Sequence, residues 1–315
     1  MNTNTNYTYE TEIPDALLAD LPEEARDQEN VNRVSFTYWQ TCWKRMKKDK
    51  LAMFGIVVII AMAILAVFGP MLCPYSYDDA DFMAILQGPS LKHWFGTDGL
   101  GRDVFVRTLY GARISLTIGF VAAIVNMVIG VLYGGIAGYL GGWVDLIMMR
   151  IVDILSGIPS LIYLILIMMF LGSSVQSILL AMCLTYWITT ARMVRGQIFT
   201  LREQDYALAA KVCGQTKWQI LIHHLIPNSM GSIIVTMTFL IPSAIFEEAF
   251  LSFLGIGIQV PKASWGTMCN DAIQYLTQQP WLMIFPALAI SITIFSLNFI
   301  GDGLRDALDP RINKQ

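Results

Sequence analysis

Charge is scarce in this chain. Asp, Glu, Lys and Arg make up 14% of its 315 residues, against about 25% in soluble domains. A chain so poor in charge has too little polar surface to fold as a soluble domain. Histidine is scarcer still: His93, His223 and His224 are the only three. The five cysteines (Cys42, Cys73, Cys183, Cys213 and Cys269) show no metal-ligand spacing. No His/Cys metal centre and no Ser/His/Asp or Cys/His constellation is legible. The chain contains no G-x-x-x-x-G-K-[ST] and so has no P-loop for ATP. Gly96, Gly99 and Gly101 lack the G-x-G-x-x-G order and a preceding strand, which rejects a phosphate cradle.

What the chain has instead is apolar length. Hydrophobic residues make up 55% of it, with a mean hydropathy of +0.54. In lipid only helices and closed barrels satisfy their own backbone. A barrel needs alternating segments of about 10 residues, whereas these runs are longer and continuous. The fold class expected is an all-α polytopic membrane protein with six transmembrane helices. The spans fall at Leu51–Leu72, Ile114–Tyr139, Val144–Leu171, Val175–Met193, Ser229–Leu254 and Trp281–Ile300. The first, as a helix, reaches about 33 Å, enough for a hydrocarbon core of about 30 Å. Pro159 is expected to kink the third span.

The charges orient these spans. A basic collar, Trp43 to Lys50, precedes the first span and places the N-terminus in the cytoplasm. Of the 21 Lys and Arg, only Lys92, Arg102, Arg107, Arg113 and Lys262 fall in outer segments. Both termini are therefore expected inside. Residues 1–42 read as a polar tail, 43–72 as collar and first span, and 73–112 as the long outer loop. Residues 113–311 form the core, with a cytoplasmic loop over 194–228, and 312–315 the end. Cys73 and Cys269 share the outer side, but shared location is weak ground for a disulfide, and two free thiols are the simpler reading.

Within the core, Gly130, Gly134 and Gly138 stack on one helix face and predict a close helix crossing. Arg150 and Asp153 are i, i+3 neighbours and predict an ion pair at a span end. A charge at mid-span costs about 2.5–3.5 kcal/mol. Asp98, Arg102 and Asp103 predict a turn with local ion pairs. Asp302, Arg305, Asp306 and Asp309 predict a salt-bridged helix ended by Pro310. Glu247 and Glu248 are adjacent and must point to different helix faces. Structural or orienting roles for both are the default, with one of them on a translocation path as the sharper reading.

The most organised polar-flanked stretch is Tyr206–Asn228. Tyr206, Ala209, Ala210 and Cys213 share one helical face at i, i+3, i+4 and i+7. Gly214 can take the left-handed turn that ends that helix. Thr216 can cap a second helix, in which Trp218, Leu221, Ile222 and Leu225 repeat the spacing. Pro227 is expected to stop it. An ordinary loop folded on its own bundle and a partner-docking helix both fit this spacing.

The stretch resembles the coupling loop of bacterial ABC importer permeases: Glu-Ala-Ala, a Gly four residues on, then a hydrophobic-Pro pair. Ala209, Ala210, Gly214, Ile226 and Pro227 match, and Leu208 stands where the family has Glu. The segments His93–Leu116, Glu247–Met268 and Gly301–Arg311 resemble the C-type permease of oligopeptide/dipeptide importers, the second of them expected as the second outer loop with a Ser264-Trp265-Gly266 turn. The resemblance covers roughly residues 43–311. It implies the type I ABC importer permease fold in the bacterial inner (plasma) membrane and a non-enzymatic subunit of an ATP-driven peptide importer. It implies ATPase coupling through Tyr206, Ala209, Ala210, Cys213, Gly214, Ile226 and Pro227. The implied partners are a second permease subunit, two cytoplasmic ATPases binding ATP and Mg, an extracytoplasmic peptide-binding protein, the peptide and membrane lipid, with no nucleic acid. A nickel or metal-chelate cargo stays open within that reading, and an ion-gradient-driven secondary transporter or channel stays open outside it. Midplane charges in repeated halves would favour that second class; here charges cluster at span ends.

Overall fold

The computed structural model describes residues 38–308. The chain divides into two units, Met1–Thr41 and Cys42–Gln315. The described part of the first is Tyr38–Thr41, the opening turn of α1 (Tyr38–Met46). The second unit holds all the remaining described residues. Among its described residues the regular structure is helical, with no strand and one isolated bridge between Thr97 and Asp103.

The remaining helices are α2 (Lys50–Leu72), α3 (Val104–Leu140), α4 (Gly142–Ser156), α5 (Ser160–Leu171), α6 (Val175–Thr185) and α7 (Trp187–Leu201). They continue with α8 (Asp205–Val212), α9 (Lys217–Ile220), α10 (Ile226–Phe253), α11 (Trp265–Ala272) and α12 (Trp281–Leu308). Five helical stretches are long and apolar enough to cross a membrane: α2, α3, α6 with α7, α9 through α10, and α12. The pair α4 and α5 makes a sixth, bent by 77°. Pro159 sits at that break as the N-cap of α5, because proline cannot continue the preceding helix.

Helix α3 is the hub, packed against α7, α10, α2, α6 and α4. Its glycine face explains the tightest of these contacts. A Cβ on Gly134 would fall on the Ala191 carbonyl oxygen of α7, and one on Gly138 would lie 2.6 Å from the Arg195 carbonyl oxygen. Only glycine permits that approach, and in lipid such packing carries helix association. Large apolar side chains fill the space behind: Ile118, Leu164, Ile178, Met182 and Leu251 are fully buried in one cluster.

Helix α3 starts ten residues earlier than the sequence suggests. Asp103 caps it, its Oδ1 accepting from Val106 N at 2.9 Å. The segment read as loop to 112 therefore ends at Asp103. Arg107 and Arg113 made the first turns look like loop, yet both are satisfied by protein. Arg113 donates from Nε to Ala66 O at 3.1 Å and from Nη2 to Val67 O at 3.0 Å. The Ala66 carbonyl lacks its helical partner because Pro70, four residues on, has no N–H.

Three other expectations are corrected. Pro227 does not stop a helix: α9 runs through one π-turn, Leu221–Leu225, straight into α10, where Pro227 occupies the first turn and needs no donor. The Ser264-Trp265-Gly266 turn is the start of helix α11, with Ser264 and Thr267 in a capping box. Trp265 is fully buried and donates Nε1–H to Thr108 O at 3.0 Å. Near the C-terminus α12 runs on to Leu308, and among the described residues Asp302, Arg305 and Asp306 form no ion pair. Asp309 and Pro310 lie outside the described residues.

The Arg150–Asp153 pair exists at 3.9 Å. Arg192 of α7 approaches Asp153 more closely, at 3.0 Å. Both pairs are exposed and contribute little. All five cysteines are free thiols.

Candidate functional site: the α8–α9 segment

The segment after α7 is tied to the bundle by one residue and one apolar face. Arg202 stacks on Phe199 at 4.2 Å and donates Nη1–H to Gly138 O at 3.0 Å. That carbonyl belongs to the last turn of α3, where a cation also meets the negative end of the helix dipole. Ala207 and Ala210 of α8 are buried with Val194, Ile198, Ile220, Leu221, Leu225 and Ile233. The short helix is thus held on α7 and the start of α10.

The opposite side of α8 is open. Tyr206, Ala209 and Cys213 are exposed at i, i+3 and i+7, as the sequence spacing places them. Ala210, assigned to the same face, turns inward instead. Val212, which the spacing did not select, is 88% exposed, and Leu208 is also exposed. Trp218 and Ile222 of the following turn are exposed as well, while Leu221 and Leu225 are buried, so the second apolar stripe divides between core and surface. Ile226 is half-buried and Pro227 exposed. The slight desolvation that remains around the exposed Tyr206 raises its hydroxyl above the usual range.

Gly214 joins the two helices. Its φ is +80°. Its N–H bonds to Lys211 O at 3.1 Å and that of Gln215 to Ala210 O at 3.2 Å, the paired bonds of a Schellman cap. Thr216 and Gln219 then form the capping box of α9. The bend between α8 and α9 is therefore built from backbone geometry.

At the other end of α3 lies a buried charge cluster that the sequence caught in part. Arg102 Nε donates to Asp98 Oδ2 at 2.8 Å. Arg107, one of the largest fully buried side chains, lies 3.4 Å from Asp98 and 3.5 Å from Asp271 of α11. His93 bonds to Asp103 at 2.8 Å. These pairs, together with the Arg107 bond to Tyr77 O at 3.3 Å, fasten the 73–103 segment and α11 to α3. Burial pushes the Asp271 carboxyl above its usual range against the pull of Arg107 and Arg102. Burial, with the Glu248 carboxyl nearby, pushes the Cys269 thiol up to about 11.

The two adjacent glutamates separate as their spacing requires. Glu248 is fully buried and accepts from Ser115 at 2.8 Å and Ser252 at 2.9 Å, clasping α3 to α10. Glu247 is half-buried on another face.

Comparison with known proteins agrees with this architecture. Residues 130–314 match the family described as binding-protein-dependent transport system inner membrane component. Residues 37–89 match the N-terminal transmembrane domain of oligopeptide transport permease C. The chain is 47% identical to the oligopeptide transport system permease protein OppC of Bacillus subtilis (strain 168), over 96% of this chain and 99% of that protein. It is also 47% identical to the dipeptide transport system permease protein DppC of the same strain, over 96% and 95%. It is 42% identical to the OppC protein of Escherichia coli (strain K12), over 87% and 91%. With a family match over most of its length and relatives covered almost end to end, the chain belongs to the inner membrane components of binding-protein-dependent transport systems.

Proposed function

We propose that the chain is one permease half of an ATP-driven peptide importer, and that α8 is the helix its ATPase grips. The observation that carries this is the two-sidedness of α8: Ala207 and Ala210 pin it to the bundle, while Tyr206, Ala209, Val212 and Cys213 face outward. A helix held rigidly on one side and bare on the other transmits a push instead of absorbing it. Closure of an ATPase around α8 then turns the bundle between inward- and outward-open states. ATP and Mg²⁺ belong to two cytoplasmic ATPase subunits in this reading, and a second permease completes the path. Both termini and α8 lie in the cytoplasm. A peptide-binding protein docks at the opposite end, where the 73–103 and 255–280 segments meet. The peptide cargo rests on the names of the relatives, oligopeptide and dipeptide permeases.

Affinity isolation from native membranes in mild detergent, with and without a non-hydrolysable ATP analogue, tests this. Two ATPase chains and a second permease are expected to co-purify, and the reconstituted complex to import peptide only with ATP. A chain recovered alone, with uptake that follows a proton or sodium gradient, overturns it.

A further inference from the structure

The exposed faces of the long helices are of two kinds. Beyond Lys50 at its start, that of α2 is apolar, with Leu51, Phe54, Val57, Ile60, Ile64 and Phe68 outward, as a lipid-facing surface should be. The exposed face of α10 mixes Ser243, Phe246 and Phe250 with the half-buried Glu247. The serine hydroxyl is satisfied within its own helix, bonding to Phe239 O at 2.9 Å, and would be tolerated in lipid. A carboxylate would not. Glu247 has no cationic partner among the described residues: it accepts from Ser160 of α5 at 3.3 Å, with the Tyr186 side chain of the α6–α7 junction close by. It lines an open groove of about 320 Å³ with Pro242, Ser243, Phe246, Ile294 and Asn298. The Asn298 amide, half-buried on α12, has no hydrogen-bond partner among the described residues. A carboxylate with no cationic partner and an amide with no hydrogen-bond partner among the described residues thus share one groove, held between α10 and α12 and braced by α5. Such a group within a span points to a substrate pathway.

We propose that this groove is a subsite of the translocation path and that Glu247 receives the protonated amino terminus of the passing peptide. Asn298 supplies a neutral donor and acceptor for peptide backbone, and Phe246 an apolar wall. Ser160 holds the carboxylate toward the groove, leaving its remaining lone pairs to an ammonium. The inference rests on the importer reading above.

The test uses the complete transporter in proteoliposomes, with binding protein saturated by tri-alanine or by N-acetyl-tri-alanine, saturation being confirmed by calorimetry. Wild type is expected to import the free amine faster. Glu247→Gln is expected to lower maximal import of tri-alanine about tenfold, bringing the ratio of the two peptides toward unity. Glu247→Asp is expected to keep most of the preference. An unchanged ratio in Glu247→Gln, or an equal loss for both peptides, overturns the subsite. Loss of the second permease on purification of Glu247→Gln overturns it too, by making the carboxylate an interface group. A lysine-bearing N-acetyl peptide separates sources of the ammonium: import as fast as the free amine refutes recognition of the terminus. Failure of wild type to import any peptide refutes the parent reading instead.

Discussion

Gly214 sets the angle at which α8 is presented, and its replacement tests whether that angle matters. Its φ of +80° lies where a side chain is disfavoured, and a Cβ there meets nothing within 4 Å. The cost of substitution is therefore backbone strain alone. Left-handed geometry costs an L-residue about 1–2 kcal/mol, with β-branched residues at the upper end and Asn, which tolerates that region, at the lower. At about 1.4 kcal/mol per tenfold, Gly214→Val shifts the bent geometry by roughly 5- to 30-fold against alternatives. Membrane insertion and the α3–α7 crossing are untouched. Gly214→Val should insert and assemble normally, hydrolyse ATP, and lose import per ATP by about that factor. Gly214→Asn should retain most coupling and Gly214→Ala lie between. Import and phosphate release measured on the same proteoliposomes read this directly. Normal import by Gly214→Val, or equal damage from Asn and Val, would refute the reasoning.

Three further outcomes follow from the packing. Gly134→Leu drives a side chain into the Ala191 backbone and should cost at least about 1–3 kcal/mol, visible as a lower thermal midpoint of the purified complex; an unchanged midpoint contradicts the crossing. Arg107→Met leaves Asp98 and Asp271 with fewer partners and should cost about 3–5 kcal/mol, read as protease cleavage in the 73–103 segment, while Asp98→Asn in the same chain should recover part of it. Cys269, its thiol held up to about 11, has on the order of one thiolate in a thousand at pH 8. With the other four cysteines replaced by serine it should resist iodoacetamide until the pH nears 11; because its folded value is raised, stability at that end of the bundle should fall as pH rises through the same range. Rapid alkylation at pH 8 contradicts it.

The spans were legible because lipid demands long apolar helices, and hydropathy reports that demand. Charge misled the reading where protein satisfies it. Arg107 is neutralised by Asp98 and Asp271, and Arg113 is satisfied by the Ala66 carbonyl that Pro70 leaves free and by the Val67 carbonyl, so ten helical residues looked like loop. In α8 the sequence offers Ala207, Ala209 and Ala210, all small. Periodicity selects a face but not which one is buried, and only packing against Ile198 and Leu225 turns Ala210 inward. The Gly214 cap and the Thr216 box were legible because each is decided within a few residues. Pro227 misled because a preceding π-turn, invisible in composition, makes it a first-turn residue. The groove beside Glu247 joins α10 and α12, far apart in sequence, and needed the tertiary structure to appear.

The central claim, that the bare face of α8 is gripped by an ATPase, can be tested at Cys213, which is native, free and exposed. With the other cysteines replaced by serine, a photoactivatable maleimide on Cys213 should cross-link to an ATPase subunit in the assembled transporter. A simple maleimide should label Cys213 rapidly in the isolated chain and slowly in the complex. Equal labelling in both, with no cross-link to any ATPase chain, would contradict the account.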